Sequence, residues 1–167
     1  ELALTGYPPE DLVLRRDFCQ ASRNALEALA PATAGIIAVL GFVDWRDGDA
    51  HNSAAVLADG RWVDTYDKIR LPNYGVFDEK RVFAPGPMPG PVNFRGVRLG
   101  LPICEDIWSP NGPLAIQAAG GAELNINING SPYHHGKVHG RERMLATRAA
   151  DASCALVYVN QVTGQDE

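Results

Sequence analysis

The sequence lacks a long apolar run: no stretch approaches the roughly 20 residues that a membrane-spanning helix needs. It also lacks a cluster of basic residues, and its net charge is −5. A protein that binds nucleic acid or an anionic membrane surface usually carries a basic patch. Neither partner is therefore expected for this chain.

Cysteine is scarce, with three residues (Cys19, Cys104 and Cys154) and no CxxC pair. An odd, unpaired set argues against a disulfide scaffold and against a structural zinc site. Such a set is typical of a reducing compartment, so we expect a cytoplasmic protein.

The 167 residues, 46% hydrophobic and 21% charged, are enough for one domain with its own core. The chain starts at Glu1 within the apolar stretch ELAL and stops at GQDE, just after a predicted strand. We interpret residues 1–167 as one partial domain of a longer protein, truncated at both ends.

Hydrophobic patterning predicts an α/β protein. Apolar continuity favours a buried strand at 35–43, and Asp59-Gly60 favours a hairpin within 52–68. Helices are predicted at 17–30, 111–119 and 136–153, and Asp17 is the predicted N-cap of the first. A small hairpin at 91–103, strands at 123–128 and 155–160, and an irregular proline-rich loop at 71–91 complete the pattern. The order favours a mixed sheet with helices on at least one face.

The stretch LPICEDIW (101–108) places Cys104 between an apolar strand and a predicted helix. This is where a nucleophile sits at the carboxyl edge of a sheet, with helix N–H groups pointing at it. Glu105 and Asp106 disfavour a thiolate there, because nearby negative charges raise its pKa. A buried, inert thiol is the open alternative.

Two further residues can supply the missing chemistry. Lys68 ends a predicted strand, so its ammonium can reach the same edge, lower the thiol pKa from about 8.5 and stabilise an oxyanion. Glu1 is a carboxylate at a strand end and can act as a general base. The alternatives are a solvated lysine and a frayed terminal residue.

The segment HHGKVH (134–139) raises two other possibilities. His135 and His139 lie four apart on a helix, but the glutamate of HExxH is missing, and we expect no metal. Cys104 paired with His134 or His135 would resemble a cysteine protease, but that pair leaves Lys68 and Glu1 unexplained. Three arginines of the same helix are predicted to form a solvated or interdomain face: Arg141, Arg143 and Arg148.

A glutamate in ELALTGYPPEDL, a lysine in YDKIRLPNYGVFDEKRVF and a cysteine in ICEDIW occur in an order that resembles the carbon–nitrogen hydrolase (nitrilase) superfamily. Within it, TGYPPEDL, LPNYGVFDEKR, NGSPYHHGK and VNQVTGQDE resemble the glutaminase domains of glutamine-dependent NAD synthetases. The resemblance covers nearly the whole chain. It implies a nitrilase-like α-β-β-α sandwich, here truncated at both ends.

The resemblance also implies a catalytic triad of Glu1, Lys68 and Cys104. Cys104 would attack the side-chain amide of glutamine with Glu1 as general base, while Lys68 and the Glu105 backbone N–H hold the oxyanion. Ammonia would leave, and water would hydrolyse the thioester. The implied glutamine-binding residues are Tyr74, Glu105, Ser131 and Lys137, with Glu79 and Phe77 in supporting positions.

The implied partners are L-glutamine, a synthetase domain of the same parent chain, and further copies in a homo-oligomer. We expect no cofactor in this domain, since neither a GxxxxGK[ST] loop nor an SGG-type pyrophosphate loop is present. ATP and Mg are expected only in the missing synthetase domain, where ammonia would convert deamido-NAD to NAD. Two alternatives stay open: a stand-alone carbon–nitrogen hydrolase that acts on another amide or a nitrile, and a catalytically inactive fragment.

Overall fold

The computed structural model describes residues 1–88, 90–162 and 164, which form two β-sheets and four α-helices. The antiparallel first sheet contains β1 (Ile37–Arg46), β2 (Asp49–Ala58) and β3 (Arg61–Asp67), in that order. The second sheet contains β4 (Val92–Phe94), β5 (Val97–Gly100), β6 (Leu124–Asn129) and β7 (Ala155–Asn160). In it, β4 pairs antiparallel with β5, whereas β5, β6 and β7 run parallel. The helices are α1 (Arg16–Leu29), α2 (Glu79–Val82), α3 (Pro113–Ala119) and α4 (Lys137–Ala152).

The first sheet is folded by two Asp-Gly turns. Asp59 and Gly60 have φ of 49° and 81°, and Asp47 and Gly48 have φ of 54° and 99°. Positive φ at both turn residues matches the twist of the strands that a two-residue hairpin joins. The Asp59-Gly60 hairpin was predicted from the sequence. The turn at Asp47-Gly48 carries the same dipeptide signal and forms the second hairpin of this sheet.

The core lies between the two sheets. Its buried residues come from both sides: Ala54, Val56 and Tyr66 of the first sheet pack with Ile128 of β6 and with the residues that follow β5, namely Leu101, Ile103 and Cys104. Two facing sheets bury the inward-pointing residues of each strand. The residue pattern alone suggested one mixed sheet, and that expectation is wrong; the sandwich implied by the family resemblance is confirmed.

Helices cover the outer faces and complete the α-β-β-α layers. On the first sheet, α1 packs Leu26 against Phe42 and Leu57. On the second sheet, α3 contacts β5 and α4 contacts β7. The predicted N-cap of α1 is wrong: Arg15 occupies that position, and the Asp17 carboxylate pairs with the Arg15 guanidinium at 2.7 Å instead.

The loop at 71–91 is irregular apart from the single turn of α2, and Pro89 lies outside the described residues. The final segment of the family resemblance, VNQVTGQDE, also lies partly outside them. In the described part of the chain, none of the helices has both the length and the apolar character that crossing a membrane requires.

Candidate active site

Lys68 lies at the centre of a buried ionic cluster. It directly follows β3, and its backbone N–H donates to the carbonyl of Asn52 in β2 at 2.8 Å. Its side chain is fully buried, with Nζ 2.5 Å from Glu1 Oε1 and 2.8 Å from Glu79 Oε2. A buried ammonium is tolerated only when it is paired. Lys68 is therefore not a solvated lysine.

Glu1 is fixed by its surroundings rather than frayed. Leu2 is fully buried in the core, and a Cβ on Gly41 of β1 would lie 2.3 Å from the Leu2 nitrogen. Only glycine therefore lets this segment approach β1 so closely. The backbone N–H of Gly130 donates to Glu1 Oε2 at 3.0 Å, and the Gln161 side chain donates to the Glu1 carbonyl.

Asn52 is a further residue of the site, beyond those predicted from the sequence. Its Nδ2 donates to Glu1 Oε1 at 2.8 Å and to Glu79 Oε1 at 3.0 Å, so one amide bridges both carboxylates. The available signal was the polar pair Asn52-Ser53 directly before the apolar run AAVLA of β2, and both residues are fully buried. Buried polar groups in a strand are usually hydrogen-bonded.

Cys104 lies beyond β5 in a tight turn. Its φ is 41°, a left-handed conformation that non-glycine residues adopt at a cost of order 1–3 kcal/mol. The following Cys104–Ile107 segment is a single 3-10 turn, and α3 begins only at Pro113. The helix predicted at 111–119 is therefore present, but a 3-10 turn separates it from the cysteine. Strained backbone of this kind concentrates at functional sites, where the surrounding structure holds it in place.

Burial raises the pKa of the Cys104 thiol well above its ordinary value, and Glu1 raises it further, while the Lys68 charge lowers it. The net direction is upward. Lys68 does act to lower the thiol pKa, as expected, but the pKa does not fall below its ordinary value, because desolvation outweighs the lysine charge. The resting group is a neutral thiol, so attack on a carbonyl requires a base to remove its proton.

The two carboxylates around Lys68 titrate at different pH values. Burial raises the pKa of Glu79 to about 7, with Lys68 opposing and Glu1 adding to the increase. Burial also acts to raise the pKa of Glu1, but the Lys68 charge and the hydrogen bonds from Lys68 and the Gly130 N–H lower it, and the net shift is downward. The pKa values of close carboxylates separate in this way because the negative charge of one disfavours ionisation of the other. Burial acts to lower the pKa of Lys68, but the negative charges of Glu1 and Glu79 outweigh burial and raise it. Lys68 therefore keeps its positive charge.

Two of the predicted binding residues form a pair at the surface. The Tyr74 hydroxyl donates to Glu105 Oε2 at 2.7 Å. Burial and this hydrogen bond raise the pKa of Tyr74 to about 12. The Phe77 ring lies between those of Tyr7 and Tyr74, with centroids 6.2 Å and 5.6 Å away.

The other two predicted binding residues, Ser131 and Lys137, lie together at the start of α4. Lys137 Nζ donates to Ser131 Oγ at 2.8 Å, and Arg141 Nη2 donates to the same oxygen at 3.2 Å. The Asn160 side chain accepts from the Ser131 backbone N–H at 3.0 Å. Arg141 was predicted on a solvated or interdomain face, but it contacts Ser131 and stacks on Tyr158 at 5.5 Å.

A cavity of about 530 Å³ adjoins this pair. Its lining residues include Tyr7, Gly130, Ser131, Lys137 and Arg141, together with Val76. Gly130 also donates to Glu1, and Lys68 Nζ lies 5.7 Å from the centroid of the Tyr7 ring. The cavity thus adjoins the ionic cluster, while Tyr74 and Glu105 lie outside its lining.

The histidines of 134–139 are separate from the cluster. His134 and His135 are exposed, and His139 Nδ1 lies 3.8 Å from Glu142 Oε2 at the surface. The charges that act on the Cys104 thiol are those of Glu1, Lys68 and Glu79. Within residues 1–88, 90–162 and 164, no three His, Cys, Asp or Glu side chains are grouped so that they could hold a metal ion.

The fold is a sandwich of two sheets, and it holds a buried Glu-Lys pair beside a cysteine in a strained turn. This combination is typical of hydrolases that use a cysteine nucleophile. The carbon-nitrogen hydrolase family profile matches residues 1–167, and the chain belongs to this family.

The chain is 46% identical over 170 residues to the glutamine-dependent NAD(+) synthetase of Thermotoga maritima, an alignment that covers 100% of this chain and 29% of that protein. The structure of the glutamine-dependent NAD+ synthetase from Acinetobacter baumannii matches with a TM-score of 0.89 and 39% identity, over 97% of this chain and 31% of that one. An amidase from Nesterenkonia sp. AN1, solved with acrylamide added to its active-site cysteine, matches with a TM-score of 0.77 and 27% identity, over 93% and 60% of the two chains. The chain therefore spans less than a third of these synthetases.

Proposed function

We propose that this chain hydrolyses the side-chain amide of L-glutamine to glutamate and ammonia through a thioester on Cys104. The observation that carries the proposal is the buried Lys68 ammonium, held by Glu1 and Glu79 beside the Cys104 thiol. The similarity to glutamine-dependent synthetases supports glutamine as the substrate.

In the first step, Glu1 removes the thiol proton while Cys104 Sγ attacks the amide carbon. Because the resting thiol is neutral, this proton transfer must accompany attack. The negative charge that develops on the carbonyl oxygen is stabilised by the Lys68 ammonium and the Glu105 backbone N–H.

In the second step, Glu1 returns the proton to the leaving nitrogen, the C–N bond breaks, and ammonia departs. A water molecule, deprotonated by Glu1, then attacks the thioester carbon. The C–S bond breaks, glutamate is released, and the sulfur takes back the proton. Glu79 and Asn52 keep Glu1 and Lys68 in place through both steps.

The substrate's α-carboxylate and α-amino group are held at opposite sides. Lys137, Ser131 and Arg141 offer two cations and a hydroxyl to the carboxylate, and hydrogen bonds from cations to a carboxylate are the strong ones. Glu105, oriented by the Tyr74 hydroxyl, offers a carboxylate to the ammonium group.

In the parent protein, we propose that ammonia passes to a synthetase domain that uses ATP and Mg to amidate deamido-NAD. The names of the relatives and the small share of their length that this chain spans support this arrangement. Assembly into homo-oligomers and a cytoplasmic location are further parts of the proposal.

The test is ammonia release by the natural full-length protein that contains this chain, with a panel of glutamine, asparagine, simple aliphatic amides and a nitrile. The proposal requires kcat/KM for glutamine to exceed that for every other compound by about 100-fold or more, since a site that hydrogen-bonds its substrate rejects analogues without those groups. The similarity to an amidase makes a simple amide the second candidate substrate. Preference for such an amide would refute the glutamine assignment while leaving the triad chemistry intact.

A further inference from the structure

Asp106 is a buried carboxylate that takes no part in the proposed reaction. It has no solvent exposure, yet both of its oxygens are fully engaged. Oδ2 accepts from the Tyr66 hydroxyl at 2.7 Å and from the Ile103 backbone N–H at 3.0 Å. Oδ1 accepts from the backbone N–H groups of Arg70 at 2.7 Å and Ile69 at 3.3 Å.

The backbone donors have a specific place in the chain. Ile69 and Arg70 directly follow Lys68, whereas Ile103 directly precedes Cys104. A single carboxylate therefore fastens the segment that carries the lysine, at the end of the first sheet, to the turn that carries the cysteine, beyond the second sheet.

Only a carboxylate suits this position. Four donors converge on two acceptor oxygens, and charged acceptors make stronger hydrogen bonds than neutral ones. Asparagine has the same shape, but its NH₂ group would face either the donor pair at Oδ1 or the pair at Oδ2, and an NH₂ group cannot accept from those donors. A buried donor left without an acceptor costs about 1–3 kcal/mol.

The lysine and the cysteine both need such a support. Cys104 has a φ of 41° and persists in that conformation only if its neighbours hold it. Lys68 has a long, flexible side chain whose ammonium must lie where the oxyanion forms. Reacting groups must be held to about 0.5 Å for full effect.

We infer that Asp106 is a positioning residue that fixes the distance between the Lys68 ammonium and Cys104 Sγ, so that one substrate carbonyl can meet both. This inference rests on Lys68 and Cys104 acting together on a carbonyl, as proposed above, and does not depend on that carbonyl belonging to glutamine.

The test compares Asp106→Asn with wild type in the natural full-length protein, using glutamine or the best substrate of the amide panel. We expect kcat to fall about 100-fold, because small displacements of reacting groups cost that much. KM should stay within about threefold, because the residues that line the cavity are unchanged. The rate at which a substrate-like electrophile labels Cys104 should fall in parallel.

Thr33→Val is the matched control for lost stability. Thr33 is buried, and its hydroxyl donates to the Ala30 carbonyl and accepts from the Gly60 N–H, at the end of β3 opposite Lys68. This variant should lose stability and keep kcat. Wild-type kcat in folded Asp106→Asn, or an equal loss of kcat in Thr33→Val, would overturn the inference.

Tyr66→Phe covers the case in which Asp106→Asn fails to fold, because it removes one donor and keeps the ring. We expect its kcat to fall about five- to tenfold with unchanged KM, because one of the four donors to Asp106 is lost and three remain. Unchanged kcat would contradict the inference. Failure of the substrate proposal is distinguishable, because wild type itself would then be inactive on glutamine.

Discussion

Lys68 and Glu1 form a fully buried ion pair, with Nζ 2.5 Å from Oε1, although they are 67 positions apart in the sequence. Glu79 and Asn52 complete the cluster. A buried ion pair contributes little net stability, because the free-energy cost of removing both charges from water is about as large as the attraction between them. We therefore propose that its role is chemical, with Glu1 as a base and Lys68 as a cation beside a neutral thiol.

Replacing the nucleophile should abolish activity and spare the fold. In Cys104→Ala, ammonia release from glutamine should fall by at least about 10⁴-fold, since loss of a nucleophile removes the thioester pathway. Cys19→Ala is the matched control, because Cys19 is equally buried and its thiol donates to the Val13 carbonyl at 3.2 Å. It should lose about 1–2 kcal/mol of unfolding free energy and keep kcat. Residual wild-type activity in Cys104→Ala would exclude this cysteine as nucleophile.

Adding a methyl group at Gly41 should displace the base. The new Cβ would lie 2.3 Å from the Leu2 nitrogen and 2.7 Å from the Glu1 carbonyl carbon, so Glu1 must move away from Lys68. We expect kcat to fall about 100-fold, because misplacement by about 1 Å costs that much. Gly140→Ala in α4 is the control, since a Cβ there meets no atom within 4 Å. Equal kcat in both variants would show that Glu1 tolerates displacement.

Removing the proposed carboxylate-binding cation should affect binding more than chemistry. In Lys137→Met, KM for glutamine should rise about 10- to 100-fold with a smaller change in kcat, because a lost charge-assisted hydrogen bond weakens ground state and transition state alike. Lys80→Met, at an exposed position, should change neither constant. A pure loss of kcat in Lys137→Met would instead place this lysine in the chemical step.

Stability should depend on pH through Asp106. Burial raises the pKa of this carboxyl to about 6, although the donors from Arg70, Ile103 and Tyr66 lower it in part. Between about pH 4 and pH 6 the folded state then binds more protons than the unfolded state, so stability falls as pH rises. The loss is at most about 1.4 kcal/mol per pH unit for one group.

The measurement is the free energy of unfolding of wild type and Asp106→Asn, by denaturant at several pH values from 4 to 7. Wild type minus variant should decrease as pH rises through the window and then level off. A difference that increases with pH would mean that the folded state lowers the pKa of Asp106.

Much of the site could be predicted from local sequence signals. Lys68 and Cys104 were expected together at one sheet edge. The structure does bring them together with Glu1 and Glu79, but from the ends of two facing sheets. The Asp59-Gly60 turn was likewise readable from its dipeptide. These features depend on short patterns and on a resemblance that spans the chain.

Other features depend on contacts that no local pattern contains. Asn52 bridges carboxylates 51 and 27 positions away, and Asp106 reaches donors 36 and 37 positions away. The sign of the Cys104 pKa shift also escaped prediction, since it depends on how completely the packed sheets bury the thiol. Sequence spacing shows which charges can meet, but not how much water the fold removes from them.

The most direct test of the account is peptide mapping after treatment of the natural full-length protein with a glutamine-like electrophile, with and without free glutamine. The account predicts an adduct confined to Cys104 and prevented by glutamine, with Cys19 and Cys154 unmodified. An adduct spread over the three cysteines, or one on Cys104 that glutamine does not block, would contradict it.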